Sequence, residues 1–188
     1  MGLILYLKGF FMKYLFFSLL LVFPLLATPL TLKEGFVAAH TEVLGDSTID
    51  PLNIGLKAEM SMDSTLESLK GNFSVNMNFF SSDNEDRDEN MHESTEAETF
   101  PISTYTIETV TKAEGENNYL MTGKLNFHGI DKKLNFDVEI TQDTKSVSIK
   151  GKSKILVSDY GIDMPCLGGF FLCVDDNVDL FVKAVLSK

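Results

Sequence analysis

From Ile54 to Met62 apolar and polar side chains take turns: Ile54, Leu56, Ala58, Met60 and Met62 against Gly55, Lys57, Glu59 and Ser61. The same period of two recurs in Phe73, Val75, Met77 and Phe79, set against Asn72, Ser74, Asn76 and Asn78. It returns in Tyr119, Met121, Gly123, Leu125 and Phe127, and in Leu134, Phe136, Val138 and Ile140. Successive side chains on a strand point to opposite faces, so this pattern describes strands with one wet and one apolar face. Leu32 to Val43 reads as a first strand, and Ile102 to Thr111 as a strand by its Thr and Ile content. Val147, Ile149, Ile155 and Val157 form another apolar face, and a last strand is expected over about Val174 to Leu186. Short connections such as Glu114-Gly115-Glu116-Asn117-Asn118 and His128-Gly129 imply hairpins. About eight antiparallel strands fit a sandwich or an up-and-down barrel. The polar face on nearly every strand, with Gly71, Gly123 and Gly151 as bends, favours the barrel.

One stretch breaks the pattern. Asn84-Glu85-Asp86-Arg87-Asp88-Glu89-Asn90-Met91-His92-Glu93 reads as a short acidic helix between two strands, followed by Phe100-Pro101. Asp83 or Ser82 is the expected N-cap, and the early carboxylates suit the positive end of the helix dipole. Arg87 is the chain's only arginine. It is read either as an ion pair with its acidic neighbours or as a contact to a ligand head group. Met91, one turn on, is expected to point into the barrel. The acids lack a calcium-loop pattern and no two histidines share helical ligand spacing, so no metal is expected.

The 188 residues suit one domain plus a leader. Lys8 and Lys13 flank an apolar run that ends at Ala27, the pattern of a signal peptide over residues 1–27. The alternative is an uncleaved anchor, which Pro24 and Pro29 disfavour. Residues 28–188 form the domain, with no integral span in the mature form. A net charge of −11 argues against nucleic acid, because phosphate backbones require clustered Lys and Arg. Cys166 and Cys173 are a disulfide candidate in an oxidising compartment; two buried free thiols are the alternative. There is no nucleophile elbow, phosphate-binding glycine loop or zinc spacing.

The helix stretch resembles the signature of the YceI-like family of lipid-binding proteins. Phe100-Pro101 follows it in the family's order, Thr122-Gly123-Lys124-Leu125-Asn126-Phe127-His128-Gly129-Ile130 is similar to the family's "G-x-L-x-x-H-G-V", and Ser158-Asp159-Tyr160-Gly161-Ile162 is similar to "S-D-F-G-I". The likeness spans Leu32 to Leu186. Asp131 departs from the usual Thr, and the loop with Cys166 and Cys173 is not a general family feature. The resemblance implies an all-β fold: an extended, lipocalin-like, antiparallel eight-stranded barrel with a short inserted α-helix. It implies periplasmic export in bacteria, a polyisoprenoid or other long-chain amphiphile as the bound lipid, and homodimers.

These readings give one set of expectations. The apolar tunnel consists of Leu56, Ala58, Met60, Met62, Phe73, Val75, Met77, Phe79, Met121, Leu125, Phe127, Leu134, Phe136, Val138 and Ile140. Methionine adapts to a floppy chain, which suits a lipid tail. Arg87, Asp88 and Met91 are the head-group candidates. The function expected is sequestering or carrying a polyisoprenoid, an isoprenoid quinone or a similar amphiphile, without catalysis and with no cofactor beyond the lipid. The alternatives are a lipid-modifying enzyme built around His128, Asp159 and Tyr160, and a filled barrel that serves as a stress-related interaction protein.

Overall fold

The computed structural model describes residues 27–43, 47–167 and 172–188; the leader stretch through residue 26 lies outside them. In chain order the strands are β1 (Thr28–Val43), β2 (Ser47–Ile49), β3 (Leu52–Asn53), β4 (Lys57–Met62) and β5 (Lys70–Asn76). The helix α1 (Glu85–Ser94) follows, then β6 (Ile102–Lys112), β7 (Asn118–Phe127), β8 (Ile130–Gln142) and β9 (Ser146–Leu156). The short β10 (Cys166–Leu167) and β11 (Leu172–Cys173) precede the last strand, β12 (Asn177–Ser187).

Eight of these strands close an antiparallel barrel in the order β1-β4-β5-β6-β7-β8-β9-β12, with β12 returning to β1. β1 is the closing seam. Thr28–Leu30 pair with β4, and Thr31–His40 pair with β12. A bulge between Leu32 and Glu34 shifts the register. It also switches which side chains face inward, from Leu30 to Val37 and Ala39. The expected first strand therefore starts four residues early, and β12 begins at Asn177 rather than near Val174.

The β7–β8 hairpin turns on two residues, His128 and Gly129, because Phe127 pairs directly with Ile130. Both have positive φ, 50° and 73°, which a two-residue turn matched to strand twist requires. His128 is fixed there by its ring: Nδ1 lies 2.9 Å from the Tyr160 carbonyl, so this nitrogen carries the proton and donates.

Ile54 does not belong to the β4 alternation. Asn53 is fully buried and its side-chain oxygen accepts from Gly55 N–H at 2.9 Å, an Asx-type turn that precedes β4. Ile54 projects outward, 79% exposed.

The two ends of the barrel differ. At one end Leu69, Ile140, Val147 and Leu186 are fully buried, with Met62, Val110 and Leu30 packed around them. These residues sit where β4, β6, β8 and β12 end and where β5, β9 and β1 begin, so they make one layer. That layer seals the barrel. The other end is hollow and carries α1, β2 and the β10–β11 hairpin.

Candidate functional site

The hollow end encloses a cavity of about 310 Å³. Its wall comes from inward residues of seven barrel strands and from Leu56 just before β4: Val37 and Ala39 of β1, Phe73, Val75, Ser103, Tyr105, Met121, Leu125, Phe127, Phe136, Ile149, Ile155, Val178, Leu180 and Val182. Along β1 the lining runs from Val37 to Val43, a depth of about 20 Å at ~3.3 Å per strand residue. Ile149 and Met121 form the floor, against the sealed end.

The few polar groups in the wall are turned back on the backbone. Ser103 Oγ donates to the Asn126 carbonyl at 2.9 Å, and Thr41 Oγ1 lies 3.0 Å from the carbonyls of both Asp175 and Asn177. Tyr105 lies flat against Gly123, its hydroxyl 3.1 Å from the carbonyls of Met121 and Leu134. The Phe136 ring meets it edge-on at 5.0 Å. Burial pushes the Tyr105 hydroxyl well above the usual tyrosine range, with a small added push from Glu108, so it stays protonated and donating. With these donors spent, the wall offers a ligand almost only apolar surface.

Of the expected tunnel residues, Leu56, Phe73, Val75, Met77, Met121, Leu125, Phe127 and Phe136 line the cavity. Met60, Met62, Val138 and Ile140 point inward but pack solidly toward the sealed end, and Ala58 and Leu134 pack against the core without reaching the void. Phe79 is a correction. β5 ends at Asn76, and Met77–Phe79 is a single 3₁₀ turn rather than strand. The tighter turn rotates Phe79 outward, 59% exposed, and puts Phe80 on the cavity instead.

The rim is built by α1. Its N-cap is Asn84, whose side-chain oxygen accepts from Arg87 N–H at 3.0 Å, not Asp83 or Ser82. Asp88 does not reach the cavity. Its carboxylate accepts from the Ser82 backbone N–H at 2.8 and 2.9 Å and so ties the helix to the chain before it. Partial burial pushes the Asp88 carboxyl up, but the hydrogen bonds from Ser82 outweigh it and hold the group below the usual range. His92 Nε2 lies 2.9 Å from the Phe80 carbonyl, a second tie from helix to barrel. Arg87, Asn90, Met91 and Ser94 then share the helix face toward the cavity, at i, i+3, i+4 and i+7. Arg87 does not pair with its acidic neighbours. Among the described residues no carboxylate lies within 4.0 Å of it; its Nη1 donates to the Thr48 carbonyl at 3.2 Å.

Two further pieces complete the rim. Ile49 and Pro51 line it on either side of Asp50, whose Oδ1 lies 2.5 Å from His40 Nδ1. At the same end of β1, Cys166 and Cys173 face each other across β10–β11 and are disulfide-bonded, while Pro165 and Val174 beside them line the mouth. Val43 bridges to Val174, which joins this hairpin to β1.

The His40–Asp50 contact predicts a pH dependence. The hydrogen bond to Asp50 raises the His40 pKa above 6.5, with small coulombic additions from Asp50, Asp179 and Glu42 against slight desolvation. The same bond, with one from Thr48, holds Asp50 below 3.8. The histidine's contribution is full below pH 6.5 and is lost as pH rises through its raised value. The aspartate's is present above pH 3.8 and lost as pH falls through its lowered value. The rim contact is therefore complete between these limits. An NMR titration is expected to place His40 above 6.5 and to return it to the ordinary value in Asp50→Asn. A wild-type midpoint at or below 6.5 contradicts the contact.

The residues suspected for catalysis are not brought to the cavity. Asp159 pairs with Lys132 at 3.0 Å and His128 holds the Tyr160 carbonyl. Tyr160 is buried against Phe127, which pushes its hydroxyl up to about 12, with a smaller push from Asp159. None of the three lines the cavity.

The model of the YceI-like domain matches residues 35–186, from the middle of β1 nearly to the end of β12. The chain belongs to the YceI-like family. BcnA of Burkholderia cenocepacia is similar in fold to this YceI-like chain, at 18% identity and a TM-score of 0.71, over 80% of this chain and 95% of that one. A polyisoprenoid binding domain from Saccharophagus degradans, implicated in plant cell wall breakdown, is similar at 12% identity and a TM-score of 0.64, over 84% and 97%. The YCEI protein of Campylobacter jejuni follows at 20% identity and 0.58, over 71% and 81%. No curated protein matches the chain. The YceI-like chain is thus a closed antiparallel barrel, and among its described residues no helix is long and apolar enough to cross a membrane.

Proposed function

We propose that this protein is an exported bacterial lipid carrier. It holds a polyisoprenoid, an isoprenoid quinone or a similar long-chain amphiphile in the hollow end of its barrel and performs no chemistry on it. The observation that carries this reading is a deep apolar cavity, open at one end and sealed at the other, whose Thr41, Ser103 and Tyr105 hydroxyls are already spent on backbone carbonyls. Each ~100 Å² of tail removed from water contributes about 2.5 kcal/mol, before the ordering cost of the chain is subtracted. A tail therefore binds with few polar contacts, and its head stays at the rim under α1. The leader pattern over residues 1–27 supports export to the periplasm.

The test is mass spectrometry of lipid extracted from protein made in its native host. One long-chain amphiphile per chain is expected. Lipid-free protein that also takes up neither prenyl nor acyl chains refutes the carrier reading.

A further inference from the structure

The rim carries a selectivity that the apolar wall does not. Among the described residues that line the cavity there is one charged side chain, Arg87, and no carboxylate. This is notable in a chain with 27 acidic residues against 16 basic ones. The helix itself achieves the separation. Arg87, Asn90 and Ser94 fall on the cavity face, while Glu85, Asp86, Glu89 and Glu93 lie off that lining and are exposed.

The guanidinium is placed rather than consumed. A guanidinium has five N–H donors, and among the described residues one bond from it is made, Nη1 to the Thr48 carbonyl. That bond aims the group along the rim and neutralises no charge. A planar fork with free donors beside an apolar cavity matches a carboxylate or phosphate, both of which can accept two parallel N–H bonds. Asn90 adds nothing of opposite sign, since its amide donates to the Asp86 carbonyl at 2.7 Å.

The acidity of the surface does not cancel this. At physiological ionic strength charges farther than about 8 Å are largely screened, and of the nearer acids on α1 none forms an ion pair with Arg87 while Asp88 is turned to the Ser82 N–H. A cavity of about 310 Å³ with a sealed floor is at the small end for ligand pockets and suits one tail rather than two.

We propose that the rim selects an oxyanion head: the ligand is a single-tailed amphiphile ending in a carboxylate or a phosphate, and Arg87 binds that end. This rests on the carrier reading and narrows it away from neutral heads.

The experiment is calorimetry on lipid-stripped protein with dodecanoate, dodecyl phosphate and dodecanol, on wild type, Arg87→Gln and Arg87→Lys. Wild type is expected to bind at least one of the two anions about tenfold more tightly than the alcohol. Which anion leads distinguishes a carboxylate from a phosphate source. Arg87→Gln is expected to erase the preference, about 1.4 kcal/mol, while the alcohol shifts less than about twofold; Arg87→Lys restores part of it. Equal binding of anions and alcohol by wild type overturns the proposal and leaves the carrier reading intact. Equal weakening of all three ligands in Arg87→Gln also overturns it and makes Arg87 a residue that only seats the helix. If no ligand binds wild type, the single-tailed oxyanion proposal falls, and the carrier reading is decided by the native-lipid extraction above.

Discussion

Ala39→Phe is expected to lower lipid affinity by roughly 70-fold while leaving the barrel folded. Ala39 lies on β1, paired with Leu180, and both line the cavity. It is the smallest side chain in that wall. A phenyl ring there enters the void instead of colliding with a packed layer, so the usual overpacking cost of about 1–3 kcal/mol is largely avoided. The ring also carries no polar atom that would be left unpaired. If it displaces ~100 Å² of tail contact, about 2.5 kcal/mol of binding is lost, which gives the fold-change above. Titration with dodecanoate and a thermal melt of the same sample check both halves. Unchanged affinity would show that the tail does not pass Ala39.

Gly123→Ala is expected to act on the fold instead, lowering the melting temperature by about 10 °C. A Cβ at this position would sit 2.3 Å from the Thr106 carbonyl oxygen and 2.7 Å from the Tyr105 ring. The first clash is with the backbone of the adjacent strand and cannot be relieved by a rotamer. The second pushes Tyr105 off the carbonyls of Met121 and Leu134, which strands a buried hydroxyl. Overpacking and an unmade buried hydrogen bond each cost about 1–3 kcal/mol, and a domain of this size loses about 2–4 °C per kcal/mol. A melting temperature within about 2 °C of wild type would mean that Tyr105 does not need the glycine.

The strands from β4 to β9 were legible because their alternation is local: each residue's face follows from its neighbour's. That logic fails wherever the backbone inserts an irregularity. The 3₁₀ turn at Met77–Phe79 exchanges Phe79 for Phe80, and the bulge after Leu32 reverses the inward parity of β1. Neither has a signature in side-chain polarity. Alternation also reports that Met60 and Ile140 face inward without reporting that they meet a packed layer rather than a void. Whether an inward residue touches a ligand depends on all eight strands at one height.

The helix was legible for the same local reason, from its acidic run and the break in period two. Its attachments were not. Arg87 reaches Thr48, 39 residues earlier in the chain, and its acidic neighbours, close in sequence, turn away on the helix surface. Asn84 took the capping role because its oxygen meets Arg87 N–H, a choice among adjacent Ser, Asp and Asn that composition leaves open. The long reach of Tyr105 over Gly123 was half visible, as a glycine in a strand, but the ring that needs the gap lies on the neighbouring strand.

The double pairing of β1 bears on synthesis. Thr28–Leu30 hydrogen-bond to β4 and Thr31–His40 to β12, so the first strand is held by the last. A nascent chain that has emitted β4 to β9 has every hairpin it needs and still cannot become a barrel. Until β12 docks on β1, the inward methionines and phenylalanines lie on an open sheet with two unpaired edges. Docking of β12 on β1, rather than any hairpin, is the event that hides the apolar face.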